Sequence, residues 1–161
     1  MASERPKAQH EMFRGTKDLA TAEVDELIGV IEFVVTKEMV DRSVWAMDDY
    51  NPWYLEASPF GGPIVPPTAA LDFDGSMFYD FYKYPAGGSL FAKQEFEFVT
   101  PMMVGETYTL TGRLRDTYRK RGRTYFEMGV SVTDRAGVEV LRMVKTIATP
   151  VKPEPEEAIT A

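Results

Sequence analysis

Cysteine is absent from this sequence, and histidine occurs once, at His10. Without a thiol there can be no disulfide, no cysteine nucleophile and no thiolate metal site. Histidine is the commonest general acid–base group because its unperturbed pKa lies near neutrality. His10 sits in a polar N-terminal stretch expected to lie outside the core. A folded catalytic centre must therefore use carboxylate, tyrosine or backbone groups, or take a histidine from another chain. A histidine-based zinc site is ruled out on the same count, and no metal is expected. Long apolar runs are also lacking: none approaches the roughly 20 residues of a membrane helix, so no membrane span is expected. The opening "MASERPKAQHEMFRG" has no apolar core of the secretory kind, which makes cytoplasmic residence the expectation. Basic residues are in deficit, with 18 Lys and Arg against 25 Asp and Glu and a net charge of −7. That balance argues against nucleic acid as a partner, since non-specific binding neutralises phosphates with cations.

The 161 residues are 44% hydrophobic and 27% charged, which suits one globular domain with a sizeable core. Residues 1–20 are polar and aperiodic and read as a flexible arm. Residues 151–161 are rich in Pro and Glu and read as a disordered tail. The domain is expected over 21–150.

Within it, "IGVIEFVV" from Ile28 to Val35 is β-branched and reads as a strand. Thr36 is a plausible N-cap for "KEMVDRSVWAMD", where Val40, Val44 and Met47 fall on one helical face. That helix should stop near Asp48, because Asn51-Pro52 disfavours helical geometry before the proline. A Gly/Pro-punctuated excursion then occupies 49–65. Pro66-Pro67 is placed to start a second helix, roughly Thr68 to Tyr82, apolar over most of its circumference and therefore buried. Gly75 is its weak point. From Gly88 onward the pattern alternates, and turns at Arg121-Gly122 and Asp134–Gly137 join about four antiparallel strands. A helix followed by such a meander implies an α+β domain, with a curved antiparallel sheet wrapped around a long buried helix.

This order, with "DDYNPWY", "FGGPIVPPT", "FEFVTPMMVGETYTLTG" and "DRAGVEVL", resembles the MaoC-like dehydratase/hydratase family, whose fold is a single hotdog domain. The likeness runs from about Ile28 to Thr149. It implies a reaction on acyl thioesters: hydration of a trans-2-enoyl thioester, or dehydration of the (R)-3-hydroxyacyl thioester. The substrate would be carried on coenzyme A or acyl carrier protein, with no separate cofactor. The family motif Asp-x-Asn-Pro-x-His is met by Asp49, Asn51 and Pro52, but the histidine position holds Tyr54. The family's His-Gly pair at the helix start, whose backbone N–H polarises the thioester carbonyl, is replaced by Pro66 and Pro67. Proline has no N–H to donate. Tyrosine, with an unperturbed pKa near 10, is a poor base at neutral pH. The sequence thus resembles the histidine-free N-terminal MaoC-type half, which accommodates the acyl chain while a partner provides the acid–base pair.

On that resemblance Asp49 and Tyr54 are the candidate catalytic positions. Asn51, Trp53, Gly61, Gly62, Pro66, Pro67, Thr68, Arg119 and Arg121 are the candidate substrate-binding ones. Plainer readings stand beside these. Asp49 and Tyr54 can be a loop anchor and a packed aromatic, and Asn51-Pro52 can be turn architecture. Gly61-Gly62 can meet a ligand or only a positive φ. Arg113, Arg115, Arg119, Lys120, Arg121 and Arg123 can receive coenzyme A phosphates or acyl carrier protein, or can keep a hairpin solvated. Three functions remain open: a dehydratase/hydratase subunit that dimerises with itself or with a catalytic hotdog paralogue, a repurposed hydro-lyase or isomerase/cyclase using Asp49 and Tyr54, and a non-enzymatic thioester-binding subunit.

Overall fold

The structure, a computed structural model, describes residues 13–150. His10 and the tail 151–161 lie outside the described residues. The first strand, β1 (Leu27–Val34), passes through Val35 into α1 (Lys37–Met47). The Thr36 hydroxyl accepts from the Met39 N–H at 3.2 Å, satisfying one of the unpaired donors of the first turn. Val40 and Val44 are buried as the helical spacing requires, whereas Met47 is 55% exposed. The helix outruns the core at its last turn and ends at Asp48, which is left-handed with φ 52°.

A single turn of helix, α2 (Pro52–Leu55), follows. The second helix expected at about Thr68–Tyr82 is present as a central helical segment over 67–81, interrupted by a turn. A 3-10 helix, Pro67–Asp72, gives way to a turn at 73–76 before α3 (Met77–Phe81) resumes. Gly75 holds φ +46° in that turn, and the buried carboxylate of Asp74 lies within it. An α-helical path through this point would have to carry both.

The remaining strands are β2 (Leu90–Phe98), β3 (Thr107–Lys120), β4 (Arg123–Asp134) and β5 (Glu139–Ala148). All pairings are antiparallel, in the order β1-β3-β4-β5-β2. The turn between β3 and β4 is the Arg121-Gly122 pair, both at positive φ, with Lys120 opposite Arg123. Such mirror-image turns match the twist of the strands they join. Between β4 and β5 the Asp134 carboxylate accepts from the N–H groups of Ala136 and Val138, each at 2.9 Å.

The sheet curves around the broken helix. Met77 and Phe78 of α3 enter a core with Leu110, Leu114, Met128 and Leu141, all fully buried or nearly so. Burying one such side chain contributes about 1.5–3 kcal/mol. Close approach is possible because β3 carries Gly112, where an added Cβ would lie 2.4 Å from Met77 Sδ.

Of the arm expected over 1–20, residues 13–20 are described, and they contact the domain. Gly15 donates its N–H to the Tyr79 carbonyl at 2.8 Å, and Lys83 donates to the Lys17 carbonyl at 2.8 Å. Phe13 packs against the rings of Tyr79 and Tyr84 at 5.1 and 5.0 Å. Lys17 and the fully buried Tyr82 both contact the carboxylate of Glu26. The segment is held through backbone groups and a few polar contacts, which a search for apolar periodicity does not register.

Candidate active site

The excursion after α1 places the motif residues at the surface. Asp49 donates its N–H to the Val44 carbonyl at 3.1 Å and is exposed. Asn51 caps α2, its side-chain oxygen accepting from the Trp53 N–H at 3.0 Å, with Pro52 at the first helical position. Asn51-Pro52 is therefore turn architecture here. Tyr54, on α2, is half-buried and packs against the core. Burial first, and the Asp49 charge second, push its hydroxyl above the ordinary tyrosine value. A hydroxyl raised further above that value is less able to lose its proton near neutrality.

Trp53 is 45% exposed, and its ring meets Phe60 edge-on at 6.3 Å. Gly61 holds φ +98° in open space and Gly62 faces only Met103 at ordinary contact distance. The first glycine answers a backbone requirement, since a left-handed φ costs other residues about 1–2 kcal/mol. Arg119 and Arg121 lie at the far tip of the β3–β4 hairpin.

The helix start builds a cavity of about 250 Å³. Ile64, Val65, Pro66, Pro67, Ala70 and Phe73 form one wall, and Phe98 to Met102 the other. The walls are tied together by the Val65 N–H donating to the Met102 carbonyl at 2.8 Å. No titratable side chain lines this cavity. Pro66 and Pro67 bring no N–H to it, and the first backbone donor of the helix belongs to Thr68, whose side chain is exposed. The structure thus brings Pro66 and Pro67 into one apolar cavity. It leaves Asp49, Tyr54, Trp53, Arg119 and Arg121 outside the lining. Phe98 to Met102 were not among the candidate site residues. The quoted "FEFVTPMM" was the available signal, but only tertiary pairing with Val65 brings it to the helix start.

Two features near the site bear on partners and solvent. Trp45, Tyr50, Trp53 and Phe60 stand 45–76% exposed around the excursion. Among the described residues no helix is long and apolar enough to cross a membrane.

Comparison with known proteins places this geometry. The model of a family described as the FAS1-like dehydratase domain region matches residues 24–143. No curated protein sequence matches the chain. Among solved structures, the MaoC-like dehydratase from Rhodospirillum rubrum superposes with a TM-score of 0.68 at 14% identity, covering 86% of this chain and 100% of that one. The (R)-hydratase from A. caviae involved in PHA biosynthesis gives 0.66 at 18% identity, covering 81% and 98%. The HadBC (3R-hydroxyacyl-ACP dehydratase) complex from Mycobacterium tuberculosis gives 0.66 at 17% identity, covering 75% and 95%. These likenesses establish the α+β hotdog fold.

Proposed function

Because the chain belongs to the FAS1-like dehydratase-region family, we propose that it is a thioester-binding subunit of an (R)-3-hydroxyacyl thioester dehydratase or enoyl thioester hydratase system. In this reading the apolar cavity at Pro66-Pro67 takes the acyl group, and a hotdog paralogue carrying Asp-x-Asn-Pro-x-His provides the acid–base pair. The observation that carries the reading is that the cavity has no titratable side chain and no N–H at its two prolines. Preorganised donors at a developing oxyanion are worth about 10²–10³ in rate. A site without one, and without a base, is suited to binding and not to turnover.

The pairing draws support from two sides. HadBC, a structure of similar fold, is a complex of a 3R-hydroxyacyl-ACP dehydratase. Around the excursion of this chain, Trp45, Tyr50, Trp53 and Phe60 are exposed well beyond what scattered surface apolars require. Arg119 and Arg121, on a hairpin that also carries Lys120 and Arg123, suit the phosphates of coenzyme A or the acidic face of acyl carrier protein. Thermal unfolding with octanoyl-CoA tests the binding half. A ligand at about 100 times its Kd stabilises by roughly 2.7 kcal/mol, so a clear rise in Tm is expected. No rise at saturating thioester would remove the reading.

A second reading rests on the closeness of Asp49 and Tyr54, whose interaction contributes to the raised tyrosine. In this reading the Tyr54 hydroxyl and the Asp49 carboxyl together serve an isomerase or cyclase. Loss of turnover in Asp49→Asn with the fold intact would favour it.

A further inference from the structure

A second cavity, of about 240 Å³, lies on the other side of the helix break from the first. Phe13, Phe78, Tyr84, Phe91 and Ile147 supply its apolar walls, and Tyr79 and Lys145 its polar ones. We propose that this cavity binds a neutral, single-ring molecule through a carbonyl oxygen that accepts hydrogen bonds from Tyr79 and Lys145. The proposal is independent of the thioester reading of the first cavity.

Four observations carry it. The Tyr79 hydroxyl is buried without a hydrogen-bond partner; the Ser89 hydroxyl lies beside it without completing a bond. Lys145, on β5, is 12% exposed in its side chain and lies 5.6 Å over the Phe91 ring. Its ammonium is 2.5 Å from Asp74 Oδ2, so the two form an ion pair. Gln94, directly across from Lys145 in the β2–β5 register, has both amide atoms buried and unpaired. Of these residues Tyr79 and Lys145 line the cavity, and Asp74 and Gln94 do not. Leaving a buried hydroxyl unpaired costs about 1–3 kcal/mol, so the Tyr79 hydroxyl in the lining calls for a partner.

Charge and volume narrow the class. Asp74 compensates Lys145, so a carboxylate would gain little from the lysine and meet the aspartate, and a cation would meet the lysine. A neutral carbonyl oxygen has two lone pairs, one for the Tyr79 O–H and one for a Lys145 N–H. The volume suits a single ring, since a cavity of about 150 Å³ holds benzene. Phe91, 59% exposed at the rim, leaves a way in.

Acetophenone is a suitable probe, with α-methylstyrene as the shape-matched control lacking the oxygen and benzoate as the anionic one. Binding is read from chemical-shift changes of the aromatic residues around Lys145. Acetophenone is expected to bind at least tenfold more tightly than either control, because a site with buried polar groups rejects an analogue that leaves them unpaired. Tyr79→Phe removes a hydroxyl that has no partner, so the fold is kept, and should weaken acetophenone binding several-fold without affecting α-methylstyrene. The double variant Asp74→Leu, Lys145→Met removes the ion pair as a unit and should erase the preference for the ketone. Equal affinity for ketone and hydrocarbon, tighter binding of benzoate, shifts that persist unchanged in Tyr79→Phe, or no shifts near Lys145 would each overturn the proposal.

Discussion

Tyr54 is the residue on which the acid–base question turns. It stands where a histidine would complete the motif, and its surroundings hold its proton in place: burial and then Asp49 both raise its pKa. A group used only for packing and shape should tolerate loss of its hydroxyl. Tyr54→Phe, assayed with the catalytic partner present, is expected to keep activity within about threefold, whereas loss of a true general base typically costs 10²–10⁴. Glu26 offers a residue-scale test of the fold. Burial opposes its charge, but the contacts from Lys17 and Tyr82 outweigh burial and hold its carboxyl below the ordinary 4.5. A folded pKa below the unfolded one gives stability that is complete above the unfolded value and lost as pH falls through the folded one. Urea midpoints should therefore fall more steeply below about pH 4.5 in the natural chain than in Glu26→Gln. Equal slopes would show that the clasp between Lys17, Glu26 and Tyr82 does not form.

At the scale of elements, the sequence was legible where a local rule decided the outcome and illegible where tertiary contacts did. Arg121-Gly122 and Asp134–Gly137 announced their hairpins, and Thr36 and Asp48 bounded α1, because turn and cap chemistry is written in adjacent residues. The helix break was only half visible: Leu71, Phe73, Met77, Phe78 and Phe81 suit one buried helix with its weak point at Gly75, but Asp74 is buried only because Lys145, some seventy positions later, comes to meet it. The Phe98–Met102 wall of the first cavity was hidden for the same reason. Two substitutions test this level. At Gly75 a Cβ meets nothing closer than 4.0 Å, so Gly75→Ala should cost only the strain of its positive φ, about 1 kcal/mol by denaturant unfolding. Gly112→Val has no such room, because even a Cβ would press on Met77. Overpacking there should cost about 1–3 kcal/mol. Reversal of that order would mean that α3 does not rest on β3 as described.

For the molecule as a whole, the chain belongs to a dehydratase-region family, while the cavity at its helix start carries no titratable side chain. The sequence already carried both halves of that contrast, in "DDYNPWY" without histidine and "VPPT" without a donor. The structure adds that the motif residues and the apolar cavity do not share a lining. Without Lys145, Asp74 and Tyr79 in view, the sequence had no means of marking a second cavity. If the chain works as the binding half of a pair, co-expression with a hotdog paralogue carrying Asp-x-Asn-Pro-x-His should yield a heteromer. Replacing Trp53 with a charged residue should then weaken that heteromer while leaving the chain folded, as read by size-exclusion chromatography and thermal unfolding. The most direct test is the hydration of crotonyl-CoA by the purified chain alone, followed by loss of the conjugated enoyl thioester absorbance. The chain alone should react no faster than buffer, and turnover should appear on adding the partner. Sustained hydration by the purified chain, abolished in Asp49→Asn, would contradict the account.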